Sequence, residues 1–330
     1  MIIRNVYGKN QIDKKIIGRC GNAIGGAFLI SFILNEIIQG VMTSAPFIAV
    51  FGLEFFTDDG FIWVYQIVMS ALMFTLPFVI VTPLMNVRVS NVCRFGKPER
   101  GLFLPTVLIG VGVSMIANTL GNMAYEIFAF FGFSSPSSMP VSSDSGNWIT
   151  AVSLLGGAAL PALIEEFALR GVVLGTLRRF GSSFGIIISA ALFGLMHGNV
   201  LQIPFAFVMG IYLGFATEKT GTVWTAVVIH FINNFFAFGF DIIEPLLSEK
   251  GYNIANEFYF MIALGIGLVG LAIAVRREDF FKLPSTSGEK NEMSLGEKIS
   301  HFVATPGIIV FLMYILYEII MFQLAAMLSV

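Results

Sequence analysis

The chain is 330 residues long, 56% apolar and 12% charged, with a mean hydropathy of +0.83 and a net charge of −2. Soluble domains usually carry about 25% charged residues, so this composition excludes an ordinary soluble protein and directs the apolar excess into lipid. A charge so close to zero also excludes nucleic acid as a partner.

A helix crossing a bilayer takes about 20 apolar residues. The chain opens with a polar, basic stretch over residues 1–19, and no short apolar core with a small-residue cleavage site follows it. The first apolar segment is therefore expected to stay as an anchor. In chain order the apolar segments are 21–42, 61–84, 102–131, 148–169, 182–198, 202–217, 222–242, 257–275 and 302–328. They predict an all-α, polytopic membrane protein of about nine spans, of which the fifth and sixth are short. With the N-terminus in the cytoplasm, every lysine and arginine except Lys250 falls in a cytoplasmic segment, 18 of the 19. The bias towards positive cytoplasmic loops then predicts a multi-pass cell-membrane protein with its N-terminus inside and its C-terminus outside. Residues 134–147 are Ser- and Pro-rich and form an expected outer loop. Residues 276–300 read as a cytoplasmic linker. Cys20 and Cys93 both fall in cytoplasmic flanks and are expected to be free thiols. With no repeat, heptad run or soluble segment, residues 1–330 read as one membrane domain.

Ionisable groups concentrate where they cost most. The fourth span carries ALIEEFALR, the fifth ends in FGLMH, and the seventh holds HFINN. A charge within a membrane helix is expensive and marks a functional site unless it is paired. Glu166 and Arg170 are spaced i, i+4 with the acid first, the favourable order for an ion pair. Glu165 points about 100° away from that pair around the helix. One carboxylate can thus serve structure while its neighbour faces a cavity. A carboxylate withdrawn from water holds a proton more tightly, which suits a general base near neutral pH. Pro161, just before the acids, can open the backbone there. His230 and Asn234 share a helix face, and His197 closes the fifth span. His301 sits at a membrane boundary, Asn199 and Asn233 are expected to support their neighbours, and Glu36, Glu126 and Glu318 receive no role.

EExxxR, FxxxH and HxxxN on successive membrane helices, here Glu165 to Arg170, Phe193 to His197 and His230 to Asn234, resemble the CAAX protease and bacteriocin-processing (Abi) family. Type II CAAX prenyl endopeptidases and bacterial self-immunity proteins belong to it. The resemblance covers residues 148–240, with the catalytic core expected over 148–243. It implies an intramembrane endopeptidase in which Glu165 activates water and Glu166, His197, His230 and Asn234 complete the site, with Arg170 as a structural ion-pair partner. The substrate implied is a membrane-associated peptide or protein, with a prenylated CAAX tail as the family name suggests, reached from the cytoplasmic side. The resemblance leaves a metal open. In a metal-free route His197 orients the water while His230 and Asn234 donate to the oxyanion; in a zinc route His197, His230 and Glu165 supply two imidazoles and a carboxylate. The metal-free route is favoured, because asparagine is a poor zinc ligand and HExxH is absent. Counted along the helices, His197 lies about 22 Å and His230 about 12 Å from the cytoplasmic end, so convergence requires a tilted or displaced fifth helix. A non-catalytic immunity or scaffold protein is the alternative reading. An ion-coupled transporter would call for inverted repeats and paired broken helices, which the sequence lacks.

Overall fold

The computed structural model describes residues 2–52, 59–133, 154–284 and 293–328, and its regular elements are all helices. The first is α1 (Ile2–Met42), followed by the short α2 (Ala45–Phe51), α3 (Asp59–Ile80), a single turn α4 (Val89–Val92) and α5 (Phe103–Phe130). The next helix, α6 over residues 155–180, changes pitch along its length. It is π-helical over Leu155–Ala159 and Phe167–Leu174, α-helical over Leu160–Glu166 and Gly175–Leu177, and 3₁₀ over Arg178–Phe180. Then come α7 (Ser182–Leu195), α8 (Ile203–Thr220), α9 (Val223–Ile243), α10 (Glu249–Ala274), α11 (Leu295–Val303) and α12 (Pro306–Leu328).

Six described helical segments are long and apolar enough to cross a membrane: Gln11–Met42, Gly60–Met85, Phe103–Phe130, Val223–Leu246, Glu249–Ala274 and Pro306–Leu324. Their outward faces are apolar, as at Ile33, Leu72, Leu104, Met261 and Met313, which suits lipid and not water. The other three expected spans correspond to α6, α7 and α8, and these helices form the centre. At 14 residues α7 is about 21 Å long, short of the ~30 Å hydrocarbon core. It lies against α6, α8 and α11, and so is enclosed by other helices. The basic stretch at the start is helical too, merging into α1 without a break. The expected outer loop at 134–147, the start of the fourth span at 148–153 and residues 285–292 of the expected linker lie outside the described residues.

Two local features position the core. Gly181 has φ of +125°, a conformation that side chains disfavour, and it lets α7 start directly after α6. Along α7 and α8, Ile186 meets Gly214, Ala190 meets Gly210, and Gly194 meets Ile203 and Phe207. These contacts climb α7 as they descend α8, so α7 and α8 run antiparallel at the close distance small residues permit.

The polar contacts gather at one end of the bundle. Glu218, near the end of α8, is buried and takes Arg178 at 3.4 Å, Arg94 at 3.9 Å and the Ser182 hydroxyl at 2.9 Å. Lys298 donates to the Phe180 carbonyl, and Arg179 to the carbonyl of Met85 and to Cys20 Sγ. Cys20 and Cys93 are both free and buried.

Candidate active site

Glu165 and Glu166 stand in the last turn of the α-helical part of α6, just before the pitch widens. Their environments differ, as helix geometry requires. Glu166 and Arg170 are fully buried, with Arg170 Nη1 donating to Glu166 Oε1 at 2.8 Å. His230 Nδ1 lies 2.9 Å from the same oxygen. The carboxylate is an acceptor, so Nδ1 carries a proton and donates it. Arg170 extends further, giving Nη2 to the Gly210 carbonyl on α8 at 3.1 Å and laying its guanidinium 4.5 Å from the centre of the Phe193 ring on α7. One buried network therefore ties α6 to α7, α8 and α9.

Glu165 faces the other way, into a cavity of about 460 Å³. Its Oε2 lies 3.9 Å from His230 Nε2. His197, His230, Asn233 and Asn234 line the same cavity. Glu166 does not; it sits behind His230. His197 Nδ1 lies 2.7 Å from the Phe193 carbonyl, one turn back, so its proton is on Nδ1 and Nε2 is left as an acceptor. The expected difference in depth between the histidines is met by Phe193. Its ring stands between them, 5.2 Å from the His197 ring and 5.5 Å from the His230 ring by centroids, edge-on to both. No group of three His, Cys, Asp or Glu among the described residues is arranged to hold an ion.

Asn233, expected to support a neighbour, donates to Asn234 Oδ1 at 3.2 Å and so fixes which way the Asn234 amide turns. Sequence reasoning passed over other positions. Asn118, which lacks a partner along its own helix, turns out to line the cavity, together with Gln202 and Asn256. No local spacing connects these residues, since they come from different helices. The FxxxH spacing did contain Phe193, but its part in separating the imidazoles needs their positions in space.

The cavity runs from buried His230 and half-buried Glu165 to exposed Gln202, Asp241 and Asn256. Asp241 is near the end of α9, whereas Arg94 and Glu218 stand by its beginning. The exposed lining is thus at the end away from Arg94 and Glu218, whereas access was expected from the end that holds the basic residues.

Comparison with known proteins bears on the same helices. Residues 147–236 match the family described as type II CAAX prenyl endopeptidase Rce1-like. Over this segment, which is under a third of its length, the chain is similar to the CAAX protease family. A membrane-embedded CAAX protease, MroQ of Staphylococcus aureus (strain USA300), is 28% identical over 119 residues, which is 34% of this chain and 46% of that relative. The match thus spans about half the length of the relative. No solved structure matches. The matched segment contains Glu165, Glu166, Arg170, Phe193, His197, Gly210, His230 and Asn234, whereas Asn118, Asp241 and Asn256 of the cavity lie outside it.

Proposed function

We propose that the protein is an intramembrane endopeptidase that hydrolyses a peptide bond in a membrane-associated peptide or protein. The observation that carries this reading is the separation of roles between adjacent acids: Glu166 is consumed by Arg170 and His230, while Glu165 faces a cavity shared with His197, His230 and Asn234. A water donating one hydrogen to Glu165 and the other to His197 Nε2 would present its lone pair to a carbonyl carbon. Glu165 takes the proton as the new C–O bond forms. Asn234, turned by Asn233, donates to the developing oxyanion, and His230, held at Nδ1 by Glu166, does so from Nε2 in its doubly protonated form. Glu165 then passes its proton to the leaving amine as the C–N bond breaks. The amides of Asn118, Gln202, Asn233 and Asn256 suit an extended peptide backbone, which presents both donors and acceptors.

In this reading α6, α7 and α8 count as spans held among longer neighbours, giving nine, with the N-terminus inside and the C-terminus outside. A prenylated CAAX tail is one substrate the family name suggests. The experiment is peptide cleavage by the purified protein, with and without a chelator, beside Glu165→Gln. Cleavage by the wild type that survives chelation and is lost in the variant supports the route above. Loss on chelation, restored by zinc, would instead assign a metal to the site. No cleavage under any condition would favour the non-catalytic immunity or scaffold reading.

A further inference from the structure

The charges lining the cavity are unevenly matched. At the floor Glu166 is paired with Arg170, and Glu165 faces His230. At the mouth Asp241 is exposed and forms no ion pair among the described residues, and Glu244 follows one turn on. None of the described lining residues is a lysine or arginine. Lys250, on the first turn of α10, is not among them.

Asp241 lies on the same face of α9 as the site. His230, Asn234 and Asp241 are spaced i, i+4, i+11, which keeps them within about 40° of one another around the helix. Eleven residues rise about 16 Å. An extended peptide advances about 3.3 Å per residue, so Asp241 stands about five residues along a chain whose scissile bond is at Glu165. A peptide ending in a free carboxylate within this cavity would meet Glu165 and Asp241, with no lysine or arginine among the described lining residues. A peptide with a cation there would meet Asp241.

We propose that, resting on the endopeptidase reading above, the cavity selects an internal bond in a peptide that bears a lysine or arginine about five residues from it, with Asp241 as the specificity residue. Asp241 touches no reacting atom, so it binds ground state and transition state alike, and its effect falls on KM while kcat changes little. Because it is exposed, the pair is a modest one, in the range of about two- to fivefold in kcat/KM, and is screened at about 1 M salt, where the Debye length is about 3 Å.

The test uses the full-length purified protein and an apolar peptide blocked at both ends, with cut sites mapped by mass spectrometry. A single lysine, glutamine or glutamate is placed in turn at each position flanking the cut. The expected order at about the fifth position is Lys, then Gln, then Glu, with the differences in KM and erased by high salt. Asp241→Asn should bring the three together and Asp241→Lys should reverse them. Asn256→Lys, across the mouth on α10, should weaken the lysine preference independently if the Asp241 variants fold poorly. Equal kcat/KM for the three peptides, or a preference untouched by all these variants, would overturn the proposal and leave the endopeptidase reading standing. Failure to cleave any peptide would remove both.

Discussion

At the scale of single residues the two adjacent glutamates divide the work. Glu165→Gln keeps the shape and removes the proton acceptor. Cleavage should fall by about 10²–10⁴, the usual contribution of a general base, with thermal unfolding unchanged; near wild-type turnover in a single-site assay would remove Glu165 from the role. Arg170→Ala should act on the fold as well. It strands Glu166 in a site with no water access, at a cost of about 3–5 kcal/mol, and it frees the Gly210 carbonyl and the Phe193 ring. A lower melting temperature and poor yield are expected, and a stable variant with normal unfolding would show that the network is dispensable. Asn233→Ala tests positioning. Asn234 would keep its place and lose the donor that orients it, so kcat should drop while KM and melting temperature hold. The division between Glu165 and Glu166 was readable in advance, because i, i+4 spacing fixes which acid pairs with Arg170. For Asn233 only a supporting part was expected, and that it serves Asn234 needed the structure, because neighbouring asparagines give no spacing signal.

At the scale of elements the site depends on how closely α7 approaches α8. A β-carbon on Gly210 would sit 2.9 Å from the Ala190 α-carbon and 3.3 Å from its carbonyl oxygen. Both are backbone or at its root and cannot swing aside. Gly210→Val should therefore separate the helices, cost about 1–3 kcal/mol as overpacking does, and displace the carbonyl that receives Arg170. Reduced activity with a melting temperature below wild type is the expected result; an unaffected protein would mean that α7 and α8 can part without harm to the site. Similarly, the wide turns of α6 after Glu166 bring Gly171 and Gly175 against Cys93 and Val92. The sequence placed a possible break at Pro161, and a π-helical turn does end directly before Leu160. The second π-helical stretch, after Glu166, had no proline or other sequence signal to announce it.

At the scale of the whole molecule the polar groups gather at one end and the cavity opens at the other. The basic residues predict that the first end is cytoplasmic. Cysteines introduced at Ser138 and Ser287, both beyond the described residues, should respectively accept and refuse a membrane-impermeant label in intact cells. The native Cys20 and Cys93 are buried, so they should give little background. The reverse pattern would invert the topology and turn the cavity mouth towards the cytoplasm.

The sequence by itself determined that the protein is a helical membrane protein, where its longest helices lie, and which polar residues share a helix face. Those properties follow from composition and from the 3.6-residue turn, both local. Six described helices met the length and apolarity of a span, and α6, α7 and α8, of which α6 and α7 carry two of the three motifs, did not, because helices enclosed by others need not match the thickness of a bilayer. Only the tertiary structure decided that α6, α7 and α9 bring Glu165, His197 and His230 to one cavity, that Phe193 separates the imidazoles, and that the mouth opens beside Asp241. These depend on the angles and depths at which helices cross. Such angles are set by small residues such as Gly210 and Ala190 meeting across a distance of 20 positions, and no spacing along a single helix records which partner each will meet.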